Sequence, residues 1–180
     1  MPRPRDAQDR NHRVVAIAVG SGVLALVAVV AVVVAAVTTG PRPEEDVARD
    51  FVEAALRGQE EASYTLVTHA YRAVVTRRDH AVLVAELHRL AGDDVTVEVL
   101  GSQRTAGSEP AQSLVGYTAQ TAAGTAEGVI TLLRLGDRWR VAEASYRFVD
   151  APRAERERLG AVIRRLGEQV AERAGQLRGN

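Results

Sequence analysis

An unbroken apolar run at residues 14–37 constrains this chain more than any other feature. Val14 and Val37 bound it, it reads VVAIAVGSGVLALVAVVAVVVAAV, and it holds no charged side chain. As a helix rising about 1.5 Å per residue it reaches roughly 36 Å. A hydrocarbon core about 30 Å thick needs about 20 residues. The run therefore reads as a single N-terminal transmembrane helix, in contact with the lipid bilayer from Val14 through Val37. Residues 1–13 then form a cytoplasmic tail, and residues 38–43 a linker. Arg3, Arg5, Arg10 and Arg13 precede the run, whereas Arg42 with Glu44, Glu45 and Asp46 follow it. Arginine is retained on the cytoplasmic side of a membrane, so the expected location is the cell membrane, single-pass, with the C-terminal domain extracytoplasmic. A cleaved secretory signal is the alternative, with Val34-Ala35-Ala36 as its cleavage triplet. Its apolar core is usually about 7 to 15 residues, shorter than this run. Ala18 and Gly22 make a small-residue pair of the kind that packs helices, but alanine-rich segments produce such pairs by chance.

The chain has no cysteine, which excludes a disulfide framework, a thiolate zinc site and a lipid-modified cysteine. Every basic residue is arginine, and with the Ala, Val and Gly excess this suggests a GC-rich bacterial genome. Overall charge is balanced at 23 basic and 23 acidic residues, but the balance is uneven along the chain. Residues 41–150 carry 12 Arg against 17 Asp or Glu, and residues 151–180 carry 7 Arg against 4 Glu. An acidic globule with a basic tail is not a nucleic-acid binder.

Beyond the linker, Val47, Phe51, Val52, Ala55 and Leu56 recur at helical spacing, and Gly58 ends that helix. Glu44, Glu45 and Asp46 fill its first turn, where acids suit the positive end of the dipole. Residues 60–67 read as a second, short helix with Ala62, Leu66 and Tyr64 inward. Thr76 and Asp79 fit a capping box, which opens a third helix carrying Leu83, Val84, Leu87 and Leu90 and ending at Gly92. The period then changes to two. Val95, Val97 and Val99 alternate with Thr96, Glu98 and Leu100, and residues 101–110 read as a polar loop. Residues 112–121, 125–135 and 138–149 are three more strands, joined by Ala122-Ala123-Gly124 and by Gly136-Asp137. Gly116 and Gly128 interrupt strands, as at bulges or bends. Pro152 opens a last helix, to about Leu177, with Leu159, Val162, Ile163, Leu166, Val170 and Ala174 along one stripe. Gly160, Gly167 and Gly175 each weaken it by about 1 kcal/mol relative to alanine. That stripe must be buried, against its own domain or against a second copy or an envelope partner; an anionic lipid surface is the third reading, which the interspersed glutamates argue against.

Two segments resemble a known superfamily. VARDFVEAALRGQEEASYTLVT, residues 47–68, resembles the opening helix pair of nuclear-transport-factor-2-like proteins. Arg57-Gly58-Gln59 departs from the Gly-Asp step usual there. LGDRWRV, residues 135–141, is similar to the hairpin that opens their last strand. Membrane-anchored relatives of unassigned function occur in high-GC Gram-positive bacteria, and this chain resembles them. The resemblance implies an α+β fold: three helices packed on a curved four-stranded antiparallel sheet, a cone with an apolar pocket. The domain would cover residues 44–150, with residues 151–180 as a C-terminal amphipathic helix and tail.

Some members of that superfamily are isomerases or dehydratases, using a carboxylate or a histidine–acid pair with a tyrosine donor. The corresponding residue types here are Asp79, His80, Glu86 and His88, with Tyr64, Tyr71, Tyr117 and Tyr146. His80 and His88 lie two turns apart on one helix, too far to share a metal, and no HxxxH or HExxH spacing occurs. They read as helix-surface groups. Trp139 and Tyr146 read as sheet packing, and Glu44, Glu45 and Asp46 as helix capping. No catalytic, cofactor-binding or metal-ligating residue is assigned. The expected protein is a non-enzymatic envelope protein whose outer domain binds a partner protein or an apolar ligand. A cone-fold isomerase-like enzyme on a small apolar substrate, and a cleaved secreted binding protein, are the alternatives.

Overall fold

Helical spacing of apolar residues produces the first element. Helix α1 (Pro43–Leu56) buries Ala48, Phe51, Val52, Ala55 and Leu56 on one stripe. The structure, a computed structural model, describes residues 43–178. Three helices follow: α2 (Glu60–Thr65), α3 (His69–Val74) and α4 (Arg77–Ala91). The chain then enters β1 (Thr96–Thr105), β2 (Gln112–Thr121), β3 (Gly124–Leu135), β4 (Arg138–Ala144) and β5 (Arg147–Phe148), and ends in α5 (Arg153–Arg178). All strand pairs are antiparallel, in the order β1-β2-β3-β4, with β5 on β3.

Turn and cap chemistry set the helix ends. Gly58 ends α1's turn at φ +74°, and a Cβ there would stand 3.0 Å from the His88 ring. Thr68 caps α3 by accepting from the Tyr71 amide at 3.0 Å. Thr76 and Asp79 form the capping box of α4, as the sequence indicates. Glu44 and Glu45 do more than fill a first turn. Glu44 Oε1 accepts from Arg104 Nε at 2.8 Å, and Glu45 accepts from the Ser102 hydroxyl at 3.0 Å. These bonds tie the start of α1 to β1.

One face of the sheet is covered by the helices and filled. Phe51, Tyr117, Ile130, Leu132, Trp139 and Phe148 are all buried there. The β4 edge is closed by the segment between α2 and α3. The Thr68 amide donates to Val141 O at 2.8 Å, and the Val141 amide donates to Leu66 O at 3.0 Å. A covered edge offers no template to another chain.

The expected architecture needs correction at several points. The sheet has five strands rather than four, and among the described residues four helices rather than three precede it. Residues 101–105, read as loop, belong to β1. A register shift between Val99 and Gly101 lets that strand continue past the bulge, with Gly101 opposite Gly116. The single strand expected at 138–149 is two, because the chain leaves the ladder at Ser145 and Tyr146. Gly128 makes that departure possible: a Cβ on it would lie 2.0 Å from the Ser145 carbonyl oxygen. Helix α3 carries too short an apolar pattern to be read as periodic. Ala62 points outward, and Ser63 takes the inward position on α2. Among the described residues no helix is long and apolar enough to cross a membrane. The run at residues 14–37, read as a transmembrane helix, lies outside the described residues.

Helix α5 is continuous through its three glycines and lies against α3 and α4. Glu155 pairs with Arg89, Arg158 Nε with Glu86 at 3.1 Å, and Arg173 with Asp79. Residue numbers fall along α4 as they rise along α5, so the two helices run antiparallel. Leu159 is buried in this contact, whereas Val162, Leu166 and Val170 are half-buried.

Candidate functional site

Helix α4 separates the candidate residues onto two sides. On the inner side His80, only 2% exposed, sits among α1, α2 and α3. Its Nε2 lies 2.8 Å from the Ser63 hydroxyl, and its Nδ1 lies 3.1 Å from the Tyr71 hydroxyl. The Tyr64 ring lies tilted against it at 5.2 Å between centroids, with Phe51 at 6.4 Å. The reading of His80 as a surface group is therefore corrected. Three apolar or aromatic neighbours and two hydroxyls replace the water it would have had. His88 is also not a plain surface group, because its Nδ1 donates to Leu56 O at 3.1 Å and ties α4 to the end of α1.

Burial holds the His80 pKa down to about 4, so the imidazole is neutral. Burial pushes the Tyr71 hydroxyl up to about 12, with Tyr64 and Asp79 adding to the shift. The Ser63 hydroxyl also lies 3.0 Å from Glu60 O and 3.2 Å from Gln59 O. A carbonyl can only accept. The assignment that uses each proton once sends the Ser63 proton to its own helix, the Nε2 proton to Ser63, and the Tyr71 proton to Nδ1. That polarity is opposite to the one an activated nucleophile needs, where serine donates to the histidine base. Ser63 is, moreover, completely buried. The trio is a packed polar plug that joins α2, α3 and α4.

The other acid–base candidates are also committed elsewhere. Asp79 accepts from Thr76 and from Arg173; the Thr76 hydrogen bond, then the Arg173 guanidinium, hold its carboxyl below the ordinary value. Glu86 lies between Arg89 at 2.7 Å and Arg158 at 3.1 Å. Tyr117 donates to Ser145 O at 2.9 Å and meets Tyr146 edge-on at 6.3 Å. Trp139 packs in the sheet core beneath Arg104, whose guanidinium lies 5.7 Å from its ring centre. The structure thus brings together His80, Tyr64 and Tyr71, leaves Asp79 and Tyr146 near enough to Tyr71 to act on each other electrostatically, and commits Glu86 to arginines and Tyr117 to the Ser145 carbonyl. Among the described residues no three His, Asp or Glu side chains converge as a metal site would need.

Open space lies on the outer side of α4, and sequence reading did not find it. A groove of about 370 Å³ runs between α4 and α5. Its lining is apolar at Val82, Val162 and Leu166, and polar or charged at Thr76, Arg78, Asp79, Arg165, Gln169 and Arg173. Arg173 is spent on Asp79 and on Val74 O, the latter at 2.9 Å. Arg78 and Arg165 are exposed, and among the described residues neither has an ion-pair or hydrogen-bond partner. Val82 is 48% exposed. The signal in the sequence was split between residues 76–82 and 162–173, eighty or more residues apart, and each half alone reads as an ordinary amphipathic face.

No family model matches the chain, and no curated protein matches it. Among solved structures the chain is similar to Rv3472, a protein of unknown function from Mycobacterium tuberculosis. The match has 13% sequence identity and a TM-score of 0.39, and covers 71% of this chain and 86% of that one. Similarity at that level assigns this chain neither a fold family nor an activity.

Proposed function

We propose that residues 43–178 form a non-enzymatic binding module of the cell envelope, held on the extracytoplasmic side, with the α4–α5 groove as its binding surface. One observation carries this reading: the helix-covered face of the sheet is filled by Phe51, Tyr117, Trp139 and Phe148, while the groove outside α4 is open and partly apolar. Ligand sites are concave, mostly apolar, and furnished with a few polar groups, and the groove has that make-up. The envelope location rests on the apolar run at residues 14–37 and its arginine flank. A distant kinship with the nuclear-transport-factor-2-like superfamily rests on residues 47–68 and 135–141, which build α1, α2 and the turn into β4.

The reading is tested by methyl NMR of the full-length chain against fractions of a bacterial envelope extract. Binding should shift the methyl signals of Val82, Val162 and Leu166 and leave the added compounds chemically unchanged. Shifts confined to the sheet core, or turnover of a compound that stops in Ser63→Ala, would replace this reading with an enzymatic one.

A further inference from the structure

We propose that the α4–α5 groove takes an anionic head on an aliphatic chain, with Arg78 and Arg165 holding the head and Val82, Val162 and Leu166 carrying the chain. This rests on the groove being the binding surface, and adds the chemical class of what it binds.

Charge decides the sign of the head. Four charged side chains line the groove, and Asp79 is already neutralised by Arg173. That leaves Arg78 and Arg165 as two guanidinium groups without a carboxylate among the described residues. Two guanidinium groups lining one groove repel a cationic ligand. A carboxylate or phosphate accepts from a guanidinium in the planar geometry that it favours. Gln169 lines the same groove and its side-chain amide is a further donor, whereas the Thr76 hydroxyl already donates to Asp79.

Shape and lining decide the body. The apolar lining is aliphatic, with Val82, Val162 and Leu166 and no aromatic ring. A nucleobase or another flat ring finds nothing to stack on. The groove follows α5 only from Val162 to Arg173, which at 1.5 Å per residue is about 16 Å. It follows α4 only from Thr76 to Val82, about 9 Å. These lengths suit a single extended chain of medium length and are short for a docked helix from another protein. Removing the chain's apolar surface from water, together with part of Val82, supplies the drive, and the arginines orient the ligand.

The test titrates laurate and dodecyl phosphate into the full-length chain, following the methyl signals of Val82, Val162 and Leu166. Dodecylammonium serves as the control of equal chain length and opposite charge, and inorganic phosphate as the head without a chain. Both anionic amphiphiles should shift these methyls saturably, and dodecylammonium and inorganic phosphate should bind at least tenfold more weakly. Arg78→Gln and Arg165→Gln lie on exposed positions and should each weaken laurate about tenfold, the loss expected for one charge-assisted hydrogen bond, with the other methyl signals unmoved. Equal binding of dodecylammonium, or laurate affinity unchanged in both arginine variants, overturns the proposal. So does inorganic phosphate binding as tightly as dodecyl phosphate, which would make the arginines an anion patch with no apolar site. If no aliphatic anion binds but an envelope fraction still shifts the groove methyls, the inference falls and the binding module stands. Shifts only outside the groove remove both.

Discussion

Asp79 and His80 are neighbours in sequence on α4, yet they belong to two different kinds of region. His80 faces inward to Ser63 and Tyr71, where every polar atom meets a neutral partner and water is excluded. Asp79 faces outward to Arg173 and the groove, where partners are charged and solvent is near. The inner region is a device for stability: its polar groups are sealed, so losing one partner leaves the other unsatisfied. The outer region spends little on stability and keeps two guanidinium groups unmatched. A hundred-degree rotation along one helix therefore separates what holds the domain together from what it presents to other molecules.

The comparison breaks most visibly in the core beside His80. Phe51→Ala should lower stability by about 3–5 kcal/mol, measured by urea unfolding, because Phe51 is buried against the sheet and the His80 ring. A loss under about 1 kcal/mol would mean that the inner region is loosely packed.

The next effect is a pH dependence. His80 has a folded pKa of about 4, below the ordinary histidine value near 6.5. Between these values the unfolded chain binds the proton and the folded one does not. Stability is therefore fully present above about pH 6.5 and is lost as pH falls toward 4, by about 3 kcal/mol. Carboxylates titrate in the same range, so the measurement compares the parent with His80→Phe by urea unfolding at each pH. The difference between the two should change with that slope over that window. A flat difference would place His80 in contact with water.

Helix α5 sharpens the comparison at smaller scale. Leu159 is its buried anchor, and Leu159→Ala should cost about 2 kcal/mol, the low end for a core leucine. Hydrogen exchange from residue 159 to 170 should speed up in this variant. Leu166→Ala, at a half-buried position, should speed it less. The reverse order would mean that the outer half of α5 is the true attachment. The smallest effect is expected where α5 is fully in solvent. The Arg153–Glu157 pair, exposed on both sides at 2.7 Å, should contribute about 0.3–0.5 kcal/mol in a double-mutant cycle and vanish at high salt.

Much of the fold was legible because its signals are local. The stripe of Phe51, Val52, Ala55 and Leu56, the Thr76–Asp79 box and the Gly136-Asp137 turn each operate within a few residues, and each appears in the structure. The fourth helix, α3, was not legible, since six residues with one cap make no period. The continuation of β1 past Val99 was hidden because a bulge reverses which side chains face inward. The buried histidine was hidden for a different reason. At helical spacing His80 falls in line with Val84 and Leu87, but its burial depends on Ser63 and Tyr71 arriving from two other helices.

Local chemistry by itself determined where helices begin, where strands turn, and that residues 153–178 carry an apolar stripe in need of cover. Those properties arise from backbone preferences and side-chain periodicity, which act over a handful of residues. Only the tertiary structure decided which polar side chains are sealed and which are left facing solvent. Desolvation and ion pairing depend on distance in space, not along the chain. Asp79 meets Arg173 from ninety-four residues away, and Arg89 meets Glu155 from sixty-six. Those long-range pairings set α5 along α4, and with it the groove that carries the unmatched arginines.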